Sequence, residues 1–396
     1  MRPPVVGIVG GGQLARMLAE AAGPLGVGLR VLAGESDEGA PEVVVDVVLG
    51  APDDYDALIA FASTVDVITF DHENVNLDAL AKIEADGIAE VRPNVATLRL
   101  ADKAHQRRIF AEAGLPVPPF EVVDVPADSD RSSAVAAAQS FLDIHGGSEN
   151  RIVAKASRGG YDGRGVWKLG PDDIPAFIAD YRGAPLVLEP LLQLDLEIAV
   201  LVARNPSGDV AVWPVVETVQ VDGMCDEVLL PAPIDEELAR QAIQVGHSIA
   251  ESVGSVGVFA VELFISGGEL LINEVAPRVH NSGHLTIEGC VTSQFEQHLR
   301  AVLDWPLGPT DPLAPSVVMR NVVGGADDPR CNQASMFAEV PQAHLHLYGK
   351  TPRPARKLGH VTVLGDDMES CRSQASRAVS LIEGAVGLSE NPASTT

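Results

Sequence analysis

The sequence predicts an α/β protein that begins with a doubly wound parallel-sheet domain and ends in a small β-rich domain. Three observations carry that reading. The apolar run PVVGIV (4–9) leads into Gly10-Gly11-Gly12 and a helix-like run from Gln13 to Ala22. Two further apolar runs, Gly28 to Ala33 and Val65 to Phe70, follow at the spacing of βαβ units. A break at Pro306, Pro309, Pro312 and Pro315 then sets off a last β-rich piece that runs to Leu364. With 396 residues the chain exceeds what one hydrophobic core usually serves, and the expected units are 1–98, 99–305 and 306–396.

The elements follow in order. Gly10-x-Gly12-x-x-Ala15 matches a loose dinucleotide fingerprint, with Glu35 where a ribose-binding acid would sit. The same glycines serve any ligand that approaches a helix N-terminus. Arg99 to Ala113 has helical spacing and is stopped by Gly114 and Pro116. A helix over Ser132 to Asp143 precedes β-like runs at Ile152 to Ala156, Gly165 to Leu169, Leu186 to Glu189, Leu196 to Arg204 and Val210 to Val219. A long helix spans Glu236 to Val253. A hairpin of Gly257 to Ile265 and Glu269 to Val275, turned by Gly267-Gly268, comes next. The last helix covers Glu369 to Glu383, before a tail expected to be disordered.

Composition excludes several classes. The charge count, 28 Lys+Arg against 55 Asp+Glu for a net of −27, argues against a nucleic-acid partner, because phosphate binding needs a basic face. No apolar run is long enough to span a membrane, and the N-terminus does not read as a signal peptide, so a cytoplasmic protein is expected. Cys225, Cys290, Cys331 and Cys371 are scattered without CxxC spacing, which fits reduced thiols rather than a zinc site. Lysine is scarce: Lys82, Lys103, Lys155, Lys168, Lys350 and Lys357 are all there are. In so acidic a chain, a lysine beside a Gly-rich or basic cluster is a candidate phosphate contact.

Four constellations carry chemistry. SRGGYDGRGV (157–166) puts four glycines between two strands, a loop whose amides can fold over phosphates, with Lys155 just ahead of it. Glu262 and Asn273-Glu274 lie on the two arms of the hairpin and supply hard oxygen ligands suited to Mg²⁺, with Mn²⁺ as a substitute. A two-residue Gly-Gly turn would pair Glu262 with Asn273 and send Glu274 to the other face. The acids face each other only with a three- or five-residue loop, or a bulge, near Ser266 to Glu269. PRVHNSGH (277–284) packs Arg278, His280, Asn281, Ser282 and His284 together. YGKTPRPARKLGH (348–360) is the strongest local positive field and suits a phosphate monoester. The plainer alternatives are an ordinary hairpin loop, solvated acids on an outer face, a capping loop and a solvated basic loop.

GGGQLARM (10–17), DHENV (71–75), GGYDGRG (159–165), VELF (261–264), NEVAPRVHNSGH (273–284), TSQFEQHLRA (292–301) and YGKTPRPARKLGH (348–360) occur in one order. Together they resemble the 5-(carboxyamino)imidazole ribonucleotide synthases, ATP-grasp enzymes of purine biosynthesis. The resemblance implies an N-terminal α/β domain, a central ATP-grasp domain with a mobile lid (about 115–188), a small C-terminal domain and a homodimer. It further implies small-molecule substrates: ATP, bicarbonate and aminoimidazole ribonucleotide. Bicarbonate would attack the γ-phosphate, and the carboxyphosphate formed would carboxylate the substrate amine.

By position, the resemblance places Lys103, Lys155 and the loop Gly160, Tyr161, Asp162, Gly163, Arg164, Gly165 and Val166 around the ATP phosphates. Glu189, Pro190, Leu191 and Leu192 would read adenine, Glu197 the ribose, and Gln220, Asn273 and Glu274 would complete the nucleotide site. Glu262 and Glu274 would hold the metal. Lys155, Asp162, Arg278 and His280 would be catalytic, Asp162 as acceptor of the amine proton. Gln13, Glu73, Tyr161, Arg164, Asn281, Lys350, Arg356 and Lys357 would bind the ribonucleotide, the last three at its phosphate. Ala15, Val166, Phe70 to Glu73 and Gln220 depart from the family's usual residues. A formate-dependent glycinamide ribonucleotide transformylase is the alternative within the superfamily, and a nicotinamide-dependent oxidoreductase the alternative outside it.

Overall fold

Short apolar runs that alternate with amphipathic ones can bury both faces of a strand only by stacking it in a parallel sheet under helices. The computed structural model, which describes residues 2–126, 130–147, 149–160, 164–325 and 328–384, shows this in the N-terminal part. Five parallel strands lie in the order Val47–Leu49, Gly28–Ala33, Val5–Val9, Val67–Phe70 and Glu90–Val91. The helices Gln13–Leu25, Tyr55–Ala62 and Leu77–Asp86 complete the βα units. Val5–Val9 lies between the second strand and Val67–Phe70, so the chain's direction across the sheet reverses at its C-terminal end. That switch point is where open α/β sheets form a crevice. It is bordered by Gly10–Gly12 on one side and Asp71–Glu73 on the other.

A four-stranded antiparallel sheet follows, Glu121–Val123, Leu186–Pro190, Ile152–Ala156 and Val166–Leu169, packed under Ser132–His145 and Asp173–Asp180. The third sheet has nine strands. Its main path runs from Glu269–Ala276 through Gly257–Ser266, Leu196–Arg204, Val216–Val221 and Met224–Leu230 to Ser316–Val323, Lys357–Gly365 and His344–Leu347. Val210–Val212 pairs beside Leu196–Arg204. The C-terminal strands therefore continue the sheet of the central part, because Ser316–Val323 pairs with Met224–Leu230. The proline-rich break interrupts the chain but not the sheet.

The helix Glu236–Val253 has the limits its pattern predicts. Asp235 accepts from the Leu238 N–H at 2.8 Å, a cap worth about 1 kcal/mol, and Gly254 (φ 58°) ends the helix in the left-handed region. Its buried face, Ala242, Val245, Ile249 and Ala250, has the 3-4 spacing of an amphipathic helix. Gly246 lets that face approach the sheet, since a Cβ there would come within 2.9 Å of Val202.

Three local expectations are corrected. The segment expected as one helix from Arg99 to Ala113 is broken at Asp102, which is extended (ψ 108°) and caps the Ala104 and His105 N–H groups at 3.0 and 3.2 Å. Lys103 thereby becomes the first residue of the helix Lys103–Glu112. The run Val210 to Val219 is interrupted around Pro214, because proline cannot donate to a ladder, and the strand Met224–Leu230 was not anticipated. The predicted hairpin irregularity exists but not at the turn. Gly267 and Gly268 (φ 59° and 80°) make a two-residue connection, and the extra residue is Asn273, between the pairs Glu262–Glu274 and Leu263–Ile272. Two glycines with positive φ match the twist of the strands, so the bulge falls instead where side chains have to be re-aimed. The expected tail lies outside the described residues, as do Tyr161, Asp162 and Gly163. Among the described residues no helix is long and apolar enough to cross a membrane.

Candidate active site

The bulge at Asn273 builds the centre of the site. It keeps Glu262 and Glu274 opposite each other and brings Asn273 between their neighbours. Asn273 Nδ2 donates to Glu262 Oε2 at 3.3 Å, while Asn273 Oδ1 accepts from Lys155 Nζ at 3.0 Å. Lys155 also pairs with Glu189 Oε2 at 2.7 Å and lies 5.7 Å above the Phe264 ring. Lys103 pairs with Glu274. The two scarce lysines and the two predicted metal acids thus meet in one network.

Backbone geometry positions each of these groups. Lys155 is the last pair of the hairpin Ile152–Ala156/Val166–Leu169, opposite Val166, so the glycine loop starts directly beyond it. The stems of that loop are close: the Ala156 N–H donates to Gly165 O at 2.8 Å, and a Cβ on Gly160 would lie 2.6 Å from Arg164 O. Lys103 is held at its helix start by its own N–H donating to Ser157 O at 2.8 Å. Burial, with Lys155 next to it, pushes the Lys103 ammonium down to about 8. Glu189 is only 3% exposed. Burial alone would raise its carboxyl, but Lys155 and Arg107 outweigh that and hold it at about 2.

The carboxylate of Glu189, the residue that the resemblance sets at the adenine, is paired with Lys155 and with Arg107 Nε. Pro190, Leu191 and Leu192 continue from it toward the strand Leu196–Arg204. Arg107 was missed by the lysine-centred reasoning. It is 2% exposed, and its Nη2 also donates to the Asn273 carbonyl, so it braces the bulge from below. Its neighbour Gln106 satisfies the same strand, accepting from the Val275 N–H and donating to Val275 O, both at 3.0 Å. The signal available in sequence was a helix start with Lys103, Gln106 and Arg107 next to a Gly-rich partner loop. Glu197 faces the same strand pair, opposite Phe264, and burial followed by Glu262 raises its carboxyl to about 7. Gln220 lies at a register shift opposite Cys225.

The PRVHNSGH loop lines the other side. The His280 Nδ1 accepts from the Ser282 N–H at 3.3 Å, which leaves its Nε2–H to face Glu262 Oε1 at 3.1 Å. Burial raises the Glu262 carboxyl, yet His280, Lys103 and Asn273 more than offset it, and the group stays ionised. Arg278 Nε pairs with Glu73 Oε1 at 2.8 Å, tying this loop to the crevice of the N-terminal sheet. Asn281, which the resemblance sets at the substrate, exchanges two amide hydrogen bonds with Asn321, at 3.0 and 2.9 Å. Asn321 also donates to Cys225 O at 2.8 Å and so fastens the loop to the C-terminal strands.

The basic loop 348–360 reaches the same crevice. Lys350 Nζ donates to Gln13 Oε1 at 2.5 Å, and Arg356 Nη1 pairs with Glu38 Oε2 at 2.6 Å. Lys357 and Glu262 both act on the Cys225 thiol, which burial first of all raises to about 12. Through Arg278 to Glu73 and His280 to Glu262, one loop joins the crevice of the first sheet to the acid pair of the third, so the two border one cleft. At the first glycine turn the Gly10, Gly11 and Gly12 N–H groups all have internal acceptors. Asp71 accepts from the Gly12 and Ala15 N–H groups at 2.9 and 2.8 Å, and Asp37 accepts from Gly11 at 3.0 Å. A Cβ on Gly12 would lie 2.3 Å from Asp71 Oδ2. The fingerprint glycines are there to admit an internal carboxylate at the helix N-terminus, which removes the basis for the nicotinamide alternative.

Two antiparallel sheets that hold a lysine-and-acid cleft between them, next to a parallel N-terminal sheet, define an ATP-grasp enzyme. The chain matches the ATP-grasp domain over residues 108–295, the ribonucleotide synthetase preATP-grasp domain over 4–102 and the phosphoribosylaminoimidazole carboxylase C-terminal domain over 317–374. It is 42% identical to the N5-carboxyaminoimidazole ribonucleotide synthase of Corynebacterium ammoniagenes, over 96% of this chain and 92% of that protein. It is 44% identical to the Mycobacterium bovis protein of the same name, over 95% and 87%. The crystal structure of the N5-carboxyaminoimidazole ribonucleotide synthetase from Thermus thermophilus superposes with a TM-score of 0.83 at 36% identity, over 98% of this chain and 100% of that one. An Aspergillus clavatus N5-carboxyaminoimidazole synthase in complex with ADP and 5-aminoimidazole ribonucleotide gives 0.85 at 29% identity, over 96% and 99%. The chain belongs to the N5-carboxyaminoimidazole ribonucleotide synthase family.

Proposed function

We propose that the chain carboxylates 5-aminoimidazole ribonucleotide in purine biosynthesis, using ATP and bicarbonate and releasing ADP and phosphate. The observation that carries this reading is the convergence of Lys103, Lys155, Asn273 and the acid pair Glu262/Glu274 on the cleft that Gln13, Glu73 and Lys350 reach from the other domains.

A bicarbonate oxygen attacks the γ-phosphorus, the bond to the bridging oxygen of ADP breaks, and carboxyphosphate forms. Lys103 and Lys155 stand where charge grows on the transferred phosphoryl oxygens, a task of positioning and electrostatics. Carboxyphosphate hydrolyses readily, so the glycine loop 157–166 has to keep water out until the substrate amine attacks the carboxyl carbon and phosphate leaves. Arg278, held by Glu73, faces that carboxyl group. His280 presents its Nε2–H toward Glu262 and bicarbonate. Asp162 accepts the proton the amine loses.

Glu262, Glu274 and the Asn273 amide oxygen are hard donors, and among the described residues no third His, Cys, Asp or Glu joins them as a metal cluster. That set fits Mg²⁺ or Mn²⁺, which commonly takes one or two carboxylates and completes its shell with nucleotide phosphates and water. The bound ion would offset charge on the ATP phosphates. At the far end, Lys350, Arg356 and Lys357 take the substrate's 5-phosphate. A homodimer belongs to the same proposal, supported by the exposed apolar side chains Val43, Val45 and Leu49 at the open edge of the N-terminal sheet.

The test is phosphate release from ATP and bicarbonate, with and without aminoimidazole ribonucleotide, in the wild type and Lys155→Ala. A loss of at least about 100-fold with the fold intact is expected from removing a charge on the transferred phosphoryl group. Near-normal turnover in the variant rejects the assignment. Turnover sustained by formate in place of bicarbonate would point to the transformylase reaction.

A further inference from the structure

Three donors of the C-terminal basic loop converge on one carboxylate from the N-terminal domain. Glu38 Oε2 accepts from the Thr351 N–H at 3.0 Å and pairs with Arg356 Nη1 at 2.6 Å, while Glu38 Oε1 accepts from the Thr351 hydroxyl at 2.7 Å. Lys350, the residue before Thr351, reaches Gln13 beside them. A backbone N–H, a hydroxyl and a guanidinium fork, with an ammonium next to them, form the donor set that recognises a phosphate monoester.

The residues on either side of Glu38 are anchored independently of it. Asp37 Oδ2 accepts from the Gly11 and Gly34 N–H groups at 3.0 and 2.9 Å, and the Ala40 N–H donates to Gly11 O at 3.0 Å. The guanidinium of Arg356 has a second acceptor of its own, the Thr351 carbonyl at 3.0 Å. The Glu38 side chain can therefore rotate out of the cradle while the backbone around it and the donors facing it keep their places. Its side chain is 25% exposed, so a path to solvent is open. Hydrogen bonds from Thr351 are the largest influence holding its carboxyl at about 2, so the group is ionised wherever the enzyme works. A carboxylate and a phosphate dianion repel each other and cannot share these three donors.

We propose that Glu38 is a resident competitor for the substrate's phosphate: its carboxylate fills the cradle of Thr351 and Arg356 in the free enzyme, and the phosphate of the incoming sugar phosphate displaces it. The empty protein thus keeps its phosphate donors paired and ordered, at the expense of apparent affinity, which falls by the fraction of molecules in which the cradle is vacant. This inference rests on the proposed placing of the substrate phosphate at Lys350 and Arg356.

The experiment compares the full-length wild type with Glu38→Ala and Glu38→Gln at saturating ATP and bicarbonate. It varies aminoimidazole ribonucleotide and uses inorganic phosphate as a competing probe, with urea unfolding to confirm that each variant is folded. In Glu38→Ala the KM for the ribonucleotide falls about 10-fold, and the inhibition constant of inorganic phosphate falls with it, as expected when a competitor present in most molecules is removed. Glu38→Gln keeps one acceptor oxygen for the Thr351 N–H but drops the charge, and gives a smaller fall in both. Unchanged or raised values in both variants overturn the proposal, and raised values would make Glu38 a latch that orders the loop for substrate. Arg356→Ala separates the two layers of reasoning. If it raises the KM while the Glu38 variants do not lower it, only the competitor is refuted. If it leaves both constants unchanged, the phosphate assignment fails and takes the competitor with it.

Discussion

Removing the charge of Glu189 tests the buried ion network under the nucleotide lysine. The carboxylate sits between Lys155 and Arg107, with side-chain exposures of 4%, 11% and 3% for the three groups. Glu189→Gln keeps the shape and leaves two cations without their partner. Breaking a buried pair in this way typically costs about 3–5 kcal/mol. The downward shift of the carboxyl, from 4.5 in the unfolded chain to about 2 in the folded one, points to a similar size, about 3 kcal/mol. The folded value is the lower one, so this stability is complete above the unfolded value and is lost as pH falls through the folded value. It is down to less than half at pH 3. Urea unfolding of wild type and variant at pH 7, 5 and 3 reads the difference directly. The expected gap is about 3 kcal/mol at pH 7 and 5, narrowing to less than half at pH 3. A gap under about 1 kcal/mol at pH 7, the size of an exposed ion pair, refutes the reasoning, and so does a gap that does not narrow in acid.

Three further perturbations have defined outcomes. Asn273→Ala removes the group that links Lys155 to Glu262 and should lower kcat/KM for ATP about 10- to 100-fold, the equivalent of one or two charge-assisted hydrogen bonds, as read by steady-state kinetics. Asp71→Ala strips the acceptor from the Gly12 and Ala15 N–H groups and should cost about 1–2 kcal/mol in urea unfolding, without creating NADH binding in a fluorescence titration. Ala355 is held at φ 59°, a region that L side chains enter at a penalty, so Ala355→Gly should raise the unfolding free energy by about 0.5–1 kcal/mol.

Legibility differed among the elements for physical reasons. The helix Glu236–Val253 and the strands of the acid hairpin could be read because periodicity, capping residues and a Gly-Gly turn act over a few neighbouring residues. Val47–Leu49 and Met224–Leu230 could not, since a three-residue edge strand and a half-exposed strand take their conformation from the neighbours they pair with. At the site, the scarcity of lysine singled out Lys103, Lys155 and Lys350, but the same reasoning passed over Arg107, whose role exists only once its helix lies against Glu189 and Asn273.

The identities of the charged groups, their order and the glycine stretches that admit them are properties of the chain itself, and they suffice to name the chemistry. Which face each group takes is different. Whether Glu262 meets Glu274 depends on one extra residue in the ladder, and that residue is Asn273 rather than one at the turn. Whether Glu38 fills the donors of Thr351 depends on the approach of two segments more than 300 residues apart. Register and long-range approach follow from the packing of whole sheets, to which every strand contributes, so no local stretch of residues encodes them.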